Sequence, residues 1–265
     1  MLRRRGYVPR TTKALWVVLA LLAQPAGGAQ PKIEAGAAPM ALPAGVSTAS
    51  VVLYEQTDSA SGNGAPAQNF GPPYEAFDSE GADDFIVTGP GWKITQVLMI
   101  TTAEVVGAAS VDLTFYSDAG GVPGAAEAAY TGVIPTADTP NLEITLPTPA
   151  VLRPGLHWVG IAVNQNFQTH GQRFWSNRLV QSNNPSVWRN PGNGFATGCT
   201  TFDTQIACGV GGGTNPDFLF QVIGELAEPQ PVIAPATGAR GLMICTLVLL
   251  IIGRVRIARA SARRT

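Results

Sequence analysis

Short apolar-rich runs separated by Gly- and Pro-bearing turns recur about every ten residues through the middle of this chain, and one of them alternates cleanly between apolar and polar. That run is 109–116. There Val111, Leu113 and Phe115 share one face and Asp112, Thr114 and Tyr116 the other, the pattern of a half-buried strand. Segments 51–54, 84–87, 92–101, 127–134, 142–146, 156–163, 174–176 and 217–224 read as further strands. Turn chemistry separates them: Gly89-Pro90-Gly91, the Gly-rich run 117–124 opened by Asp118, and Arg153-Pro154-Gly155. Segments 58–73 and 181–216 carry Gly, Pro and Asn throughout and read as loops. Outside the two termini no segment sustains a 3.6-residue period. The pattern predicts an all-β fold, an antiparallel β-sandwich of jelly-roll-like form, with an N-terminal signal helix and a C-terminal membrane helix.

The termini follow a different logic. Arg3, Arg4, Arg5, Arg10 and Lys13 precede an apolar run over 14–23, and Gly27-Gly28-Ala29 offers small residues for cleavage. This is the pattern of a signal peptide over 1–29, cut by signal peptidase; an uncleaved anchor is disfavoured because about 20 apolar residues are needed to span. Residues 30–49 read as a flexible leader, 50–227 as the sandwich and 228–240 as a Pro-rich linker carrying a sorting motif. Residues 241–257 read as a membrane segment and 258–265 as an Arg-rich cytoplasmic tail. The continuous apolar run 241–253 is short, about 20 Å as a helix, so spanning draws in Val255 and Ile257 with the arginines snorkelling. An interfacial or buried helix is the alternative there.

Charge is distributed unevenly. The whole chain has a formal net charge of −1, yet residues 30–239 hold six basic and all 18 acidic residues, a net of −12. A body this acidic repels phosphate backbones, so nucleic acid is not an expected partner. Of the three cysteines, Cys245 lies in the terminal apolar run. Cys199 and Cys208 enclose a short loop, and an exported setting allows them to form a disulfide.

Two resemblances refine the picture. Pro235, Gly241 and Leu242, followed by an apolar run and a basic end, resemble the C-terminal sorting signals of the IPTL-CTERM and PEP-CTERM type, with Ala234, Ala236 and Thr237 in place of the usual Ile, Thr and Leu. The body resembles the exported bacterial β-sandwiches described as choice-of-anchor proteins. The matching stretches are 53–58, Ala82-Asp83-Asp84-Phe85, Phe115-Tyr116-Ser117-Asp118 through Pro123-Gly124, and 152–159. The resemblance implies a surface address, a sorting protease as partner and no catalytic residues.

Candidate chemistry is sparse. Asp78, Glu80, Asp83 and Asp84 crowd one segment with hard oxygen ligands, as a structural calcium site would, and no other cofactor is implied; the competing reading is a solvated acidic loop that caps a turn. Trp175 and Trp188, interleaved with amides and arginines, suit stacking on a sugar if exposed, and core anchoring if not. The two histidines, His157 and His170, are too few for a multi-histidine metal centre, and no Gly-x-Ser-x-Gly elbow occurs. The sequence therefore points to an exported, envelope- or surface-anchored, non-catalytic protein for display, matrix or adhesion, with extracellular polysaccharide as a candidate partner. A carbohydrate-binding module is the first alternative, and a secreted hydrolase with paired carboxylates the second.

Overall fold

The structure, a computed structural model, describes residues 30–34, 50–102, 107–139 and 141–228. The signal helix, most of the leader, the sorting motif at Pro235, Gly241 and Leu242, and the C-terminal membrane segment lie outside the described residues. Among the described residues no helix is long and apolar enough to cross a membrane.

The chain builds strands β1 (Val51–Gln56), β2 (Ala60–Pro66), β3 (Gln68–Asn69), β4 (Glu80–Val87), β5 (Trp92–Met99), β6 (Ser110–Asp118) and β7 (Pro123–Val133). It continues with β8 (Leu142–Leu152), β9 (Gly155–Asn164), β10 (Phe174–Arg178), β11 (Val187–Arg189), β12 (Asp203–Thr204), β13 (Asp217–Phe218) and β14 (Phe220–Leu226). One helical turn, α1 (Phe167–His170), is capped by Asn166, whose side chain accepts from the Thr169 backbone N–H.

A four-stranded sheet in the order β1-β14-β5-β8 packs against a larger one in the order β12-β11-β4-β9-β6-β7, which β3 extends by pairing with β9. All these pairings are antiparallel except β3 with β9. One core lies between the sheets. Phe85, Leu113, Phe115, Val159 and Ile161 enter it from the larger sheet and Ile94, Val97, Ile144 and Val222 from the smaller. The β6 alternation is realised as read, with Val111, Leu113 and Phe115 buried and Asp112, Thr114 and Tyr116 half-buried on the outer face. A small sheet, β13-β10-β2, seals one end of the core with Trp175 stacked on Phe218 at 4.5 Å.

Two segments read as loops contain strands. Within 58–73, β2 pairs antiparallel with β10 and β3 lies beside β9. Within 181–216, β11 pairs with β4 and β12 pairs with β11. Neither segment advertises itself, because its partners, not its own apolar periodicity, hold it extended. Residues 32 and 33 of the leader reach the body: Lys32 exchanges backbone hydrogen bonds with the Gln172 side chain, and the Gly211 N–H donates to the Ile33 carbonyl.

Candidate functional site

The outer face of the larger sheet carries a cleft of about 300 Å³ to which mostly polar residues contribute. Ala162 of β9 lines its floor. Ala162 stands opposite Asp112 of β6, and Gly160 stands opposite Thr114. A side chain at Gly160 would strike the Glu80 carboxylate and the Tyr116 ring, at 2.3 and 2.8 Å from an added Cβ. Glycine there lets Glu80 lean from β4 across β9 to β6.

Register sets the walls. Arg189 of β11 lies directly opposite Glu80 of β4. Its Nε donates to Glu80 Oε2 at 2.9 Å, and Tyr116 Oη donates to Glu80 Oε1 at 2.8 Å. The guanidinium also sits 4.3 Å from the centre of the Phe202 ring, which meets Tyr116 edge-on. Phe202 belongs to the loop closed by the Cys199–Cys208 disulfide, whose Cα atoms are 5.8 Å apart. The covalent bridge thus holds Phe202, Arg189 and Tyr116 as one wall. Burial and the Glu80 carboxylate push the Tyr116 hydroxyl up to about 12, so it is a hydrogen-bond donor throughout the physiological range.

On the opposite side Asp112 accepts from the Gly132 N–H at 2.8 Å and from Asn164 Nδ2 at 3.0 Å through Oδ1. Its Oδ2 receives one long contact, 3.3 Å, from Asn69 Nδ2. Asp78 accepts from the Phe70 N–H through Oδ1 at 2.6 Å, and burial raises its carboxyl above the usual carboxylate range. Ser79, which also lines the cleft, is 2% exposed, and its hydroxyl has no hydrogen-bond partner among the described residues.

The four acids expected to hold calcium do not converge. Glu80 and Asp84 point to the outer face of β4, and Asp83 points to the inner one, as strand alternation requires. Asp83 is fully buried and accepts from Gln56 Nε2 at 2.6 Å and the Phe218 N–H at 2.7 Å. Asp84 accepts from the Asn184 N–H and both neighbouring asparagine side chains. Each carboxylate is thus bound by the protein itself, and among the described residues no three His, Cys, Asp or Glu side chains are grouped to hold a metal.

The tryptophans expected to stack on a sugar are core residues: Trp175 and Trp188 are both 0% exposed. Their indole N–H groups donate inward, to the carbonyls of Leu219 and Pro66. Neither offers a free face, and the polar surface lies elsewhere. His157 is a strand residue whose Nδ1 meets Glu127 Oε2 at 2.6 Å and whose Nε2 meets the Arg153 carbonyl at 2.8 Å. Asp118 receives the N–H groups of Gly120 and Gly121 and the indole of Trp158, the turn-forming role its position suggested.

Sequence reasoning named Asp78 and Glu80 as candidate ligands but did not join them to Asn69, Asp112 and Arg189. The outward face of β6 was the available signal for Asp112. Nothing local joins Arg189 to Glu80, which stand 109 positions apart.

No protein-family model matches the chain, and no curated protein matches it in sequence. Among solved structures it is similar to the cysteine protease and lectin-like domains of Cwp84, a surface layer associated protein of Clostridium difficile. The TM-score is 0.45 and the identity 11%, over 69% of this chain and 37% of that one. The chain therefore spans little more than a third of that structure's length.

Proposed function

We propose that this chain is an exported, envelope- or surface-anchored β-sandwich that acts by contact rather than catalysis, in surface display, matrix or adhesion. The observation that carries the reading is the Cys199–Cys208 disulfide in a body flanked by a signal-like start and a sorting-like end. Disulfides persist in oxidising compartments outside the cytoplasm. Signal peptidase removes residues 1–29, and the C-terminal segment holds the body at the membrane until a sorting protease releases it. Non-catalytic contact is supported by the way the polar groups are used: both ring nitrogens of His157 and the carboxylates of Asp83, Asp84 and Glu80 are engaged in hydrogen bonds that tie strands to one another or to their turns and loops.

The test is the intact mass and fractionation of the protein recovered from its native host. The expected product lacks residues 1–29 and the Arg-rich tail, retains the disulfide, and lies at the outer surface or in the medium. A tail retained in the membrane fraction would replace sorting with plain anchoring. A full-length, reduced protein in the cytoplasm would overturn the reading.

A further inference from the structure

The cleft over β9 has the features of a binding site rather than of a solvated strand face. It is concave, at the lower end of the roughly 300–1,000 Å³ typical of small-ligand sites. Its polar groups are held in place by neighbours, so little side-chain entropy remains to be lost on binding. Tyr116 and Arg189 are fixed on Glu80, and Asp112 is fixed by a backbone N–H and by Asn164.

What these groups still lack identifies the ligand. Among the described residues Asp78 Oδ2 receives no hydrogen bond, Asp112 Oδ2 receives only the 3.3 Å contact from Asn69, and the Ser79 hydroxyl has no partner although Ser79 is nine-tenths buried. The spare capacity is mostly that of acceptors, which hydroxyl donors satisfy. Three carboxyl side chains face one guanidinium in the lining, which disfavours phosphates, sulfates and uronic acids. Ala162 and Pro191 give the lining an apolar patch against which a ring face can lie. Many hydroxyls, no negative charge and an apolar ring face describe a neutral sugar.

We propose that the cleft lined by Asn69, Asp78, Asp112, Tyr116 and Arg189 binds a neutral oligosaccharide segment without cleaving it. This deepens, and rests on, the reading of the chain as a surface contact protein by naming the material contacted. The site differs from the buried tryptophans in both place and chemistry.

The experiment uses the full chain, in detergent where the C-terminal segment is retained, over immobilised neutral gluco-, galacto- and manno-oligosaccharides and uronic-acid oligosaccharides. At least one neutral series is expected to retain the protein at millimolar concentration or below, with no retention on the uronic series and the sugar recovered at unchanged mass. Thr131→Trp, at an exposed position on the cleft wall, is expected to weaken retention about tenfold or more with an unchanged unfolding midpoint. Asp78→Asn, which keeps the acceptor for the Phe70 N–H, is expected to weaken it in the same direction. The proposal is overturned by no retention on any neutral series, by preference for the uronic series, by a Thr131→Trp protein that binds as the wild type does, by cleavage of the sugar, or by retention that requires calcium. The assay uses purified chain, so a negative result leaves the surface address untouched. A cytoplasmic protein that still binds would instead sink the address alone.

Discussion

At the residue scale, the most unusual chemistry is the pair of acids behind the cleft's sheet. Asp83 is fully buried, and burial, then the neighbouring Asp217, pushes its carboxyl well above the ordinary carboxylate range. Asp217 is pushed up to about 7, chiefly by burial; its Oδ2 accepts from the Ser182 N–H while its Oδ1 has no hydrogen-bond partner among the described residues. An acid whose folded pKa is raised binds its proton more tightly in the native state. Its stabilising contribution is complete below the unfolded value of about 3.9 and is lost as pH rises through the folded value near 7. Replacing Asp217 by Asn removes this dependence while keeping an acceptor for Ser182. The expected outcome is a wild-type unfolding midpoint that drops more between pH 5 and pH 8 than that of Asp217→Asn, measured by thermal denaturation at both pH values. Equal slopes in the two proteins would remove Asp217 as the cause.

At the element scale, legibility followed the source of each strand's order. The β6 alternation was visible because its inward face supplies its own core residues, and β5, β8, β9 and β14 were visible for the same reason. By contrast, β2 reads ASGNGAP, with no apolar period at all. It is a strand because β10 pairs with it, and Gly64, unlike Gly62 with its positive φ, is there for closeness. A Cβ at Gly64 would lie 2.7 Å from the Trp175 carbonyl oxygen and 2.5 Å from Thr102 Cγ2. Backbone cannot step aside cheaply, so Gly64→Ala is expected to cost about 1–3 kcal/mol in denaturant unfolding, the range for overpacking. A loss below measurement error would show that β2 and β10 can separate without consequence. The cleft was half legible on the same grounds. The polar face of β6 marks Asp112, Thr114 and Tyr116, whereas the Glu80–Arg189 pairing depends on β11, a three-residue strand concealed in a Gly- and Asn-rich stretch.

At the scale of the molecule, charge placement ties the fold to its processing. Among the described residues four of the six basic residues between 30 and 239 form ion pairs: Lys93 with Glu225, Arg173 with Asp138, Arg178 with Asp58 and Asp217, and Arg189 with Glu80. The bonds of Lys93 and Arg189 join adjacent strands, and Arg173 is wholly buried against a loop. These basic residues therefore serve as staples, and among the described residues most of the acids form no ion pair with Lys or Arg. Removing both termini takes the chain from a net of −1 to −12, so the processed protein is expected to focus at a far more acidic point than the intact chain on isoelectric focusing. The same surplus makes the processed body repel itself. Raising salt from about 0.01 M to 0.15 M shortens the screening length from about 30 Å to about 8 Å. The exposed Lys93–Glu225 pair loses little by this, since exposed pairs contribute little to stability, and the buried Arg173 pair is barely screened. Relief of repulsion should therefore win, and the unfolding midpoint of the processed body should rise with salt. A fall over the same range would mean that ion pairs, not the acidic surplus, govern the electrostatics of the domain.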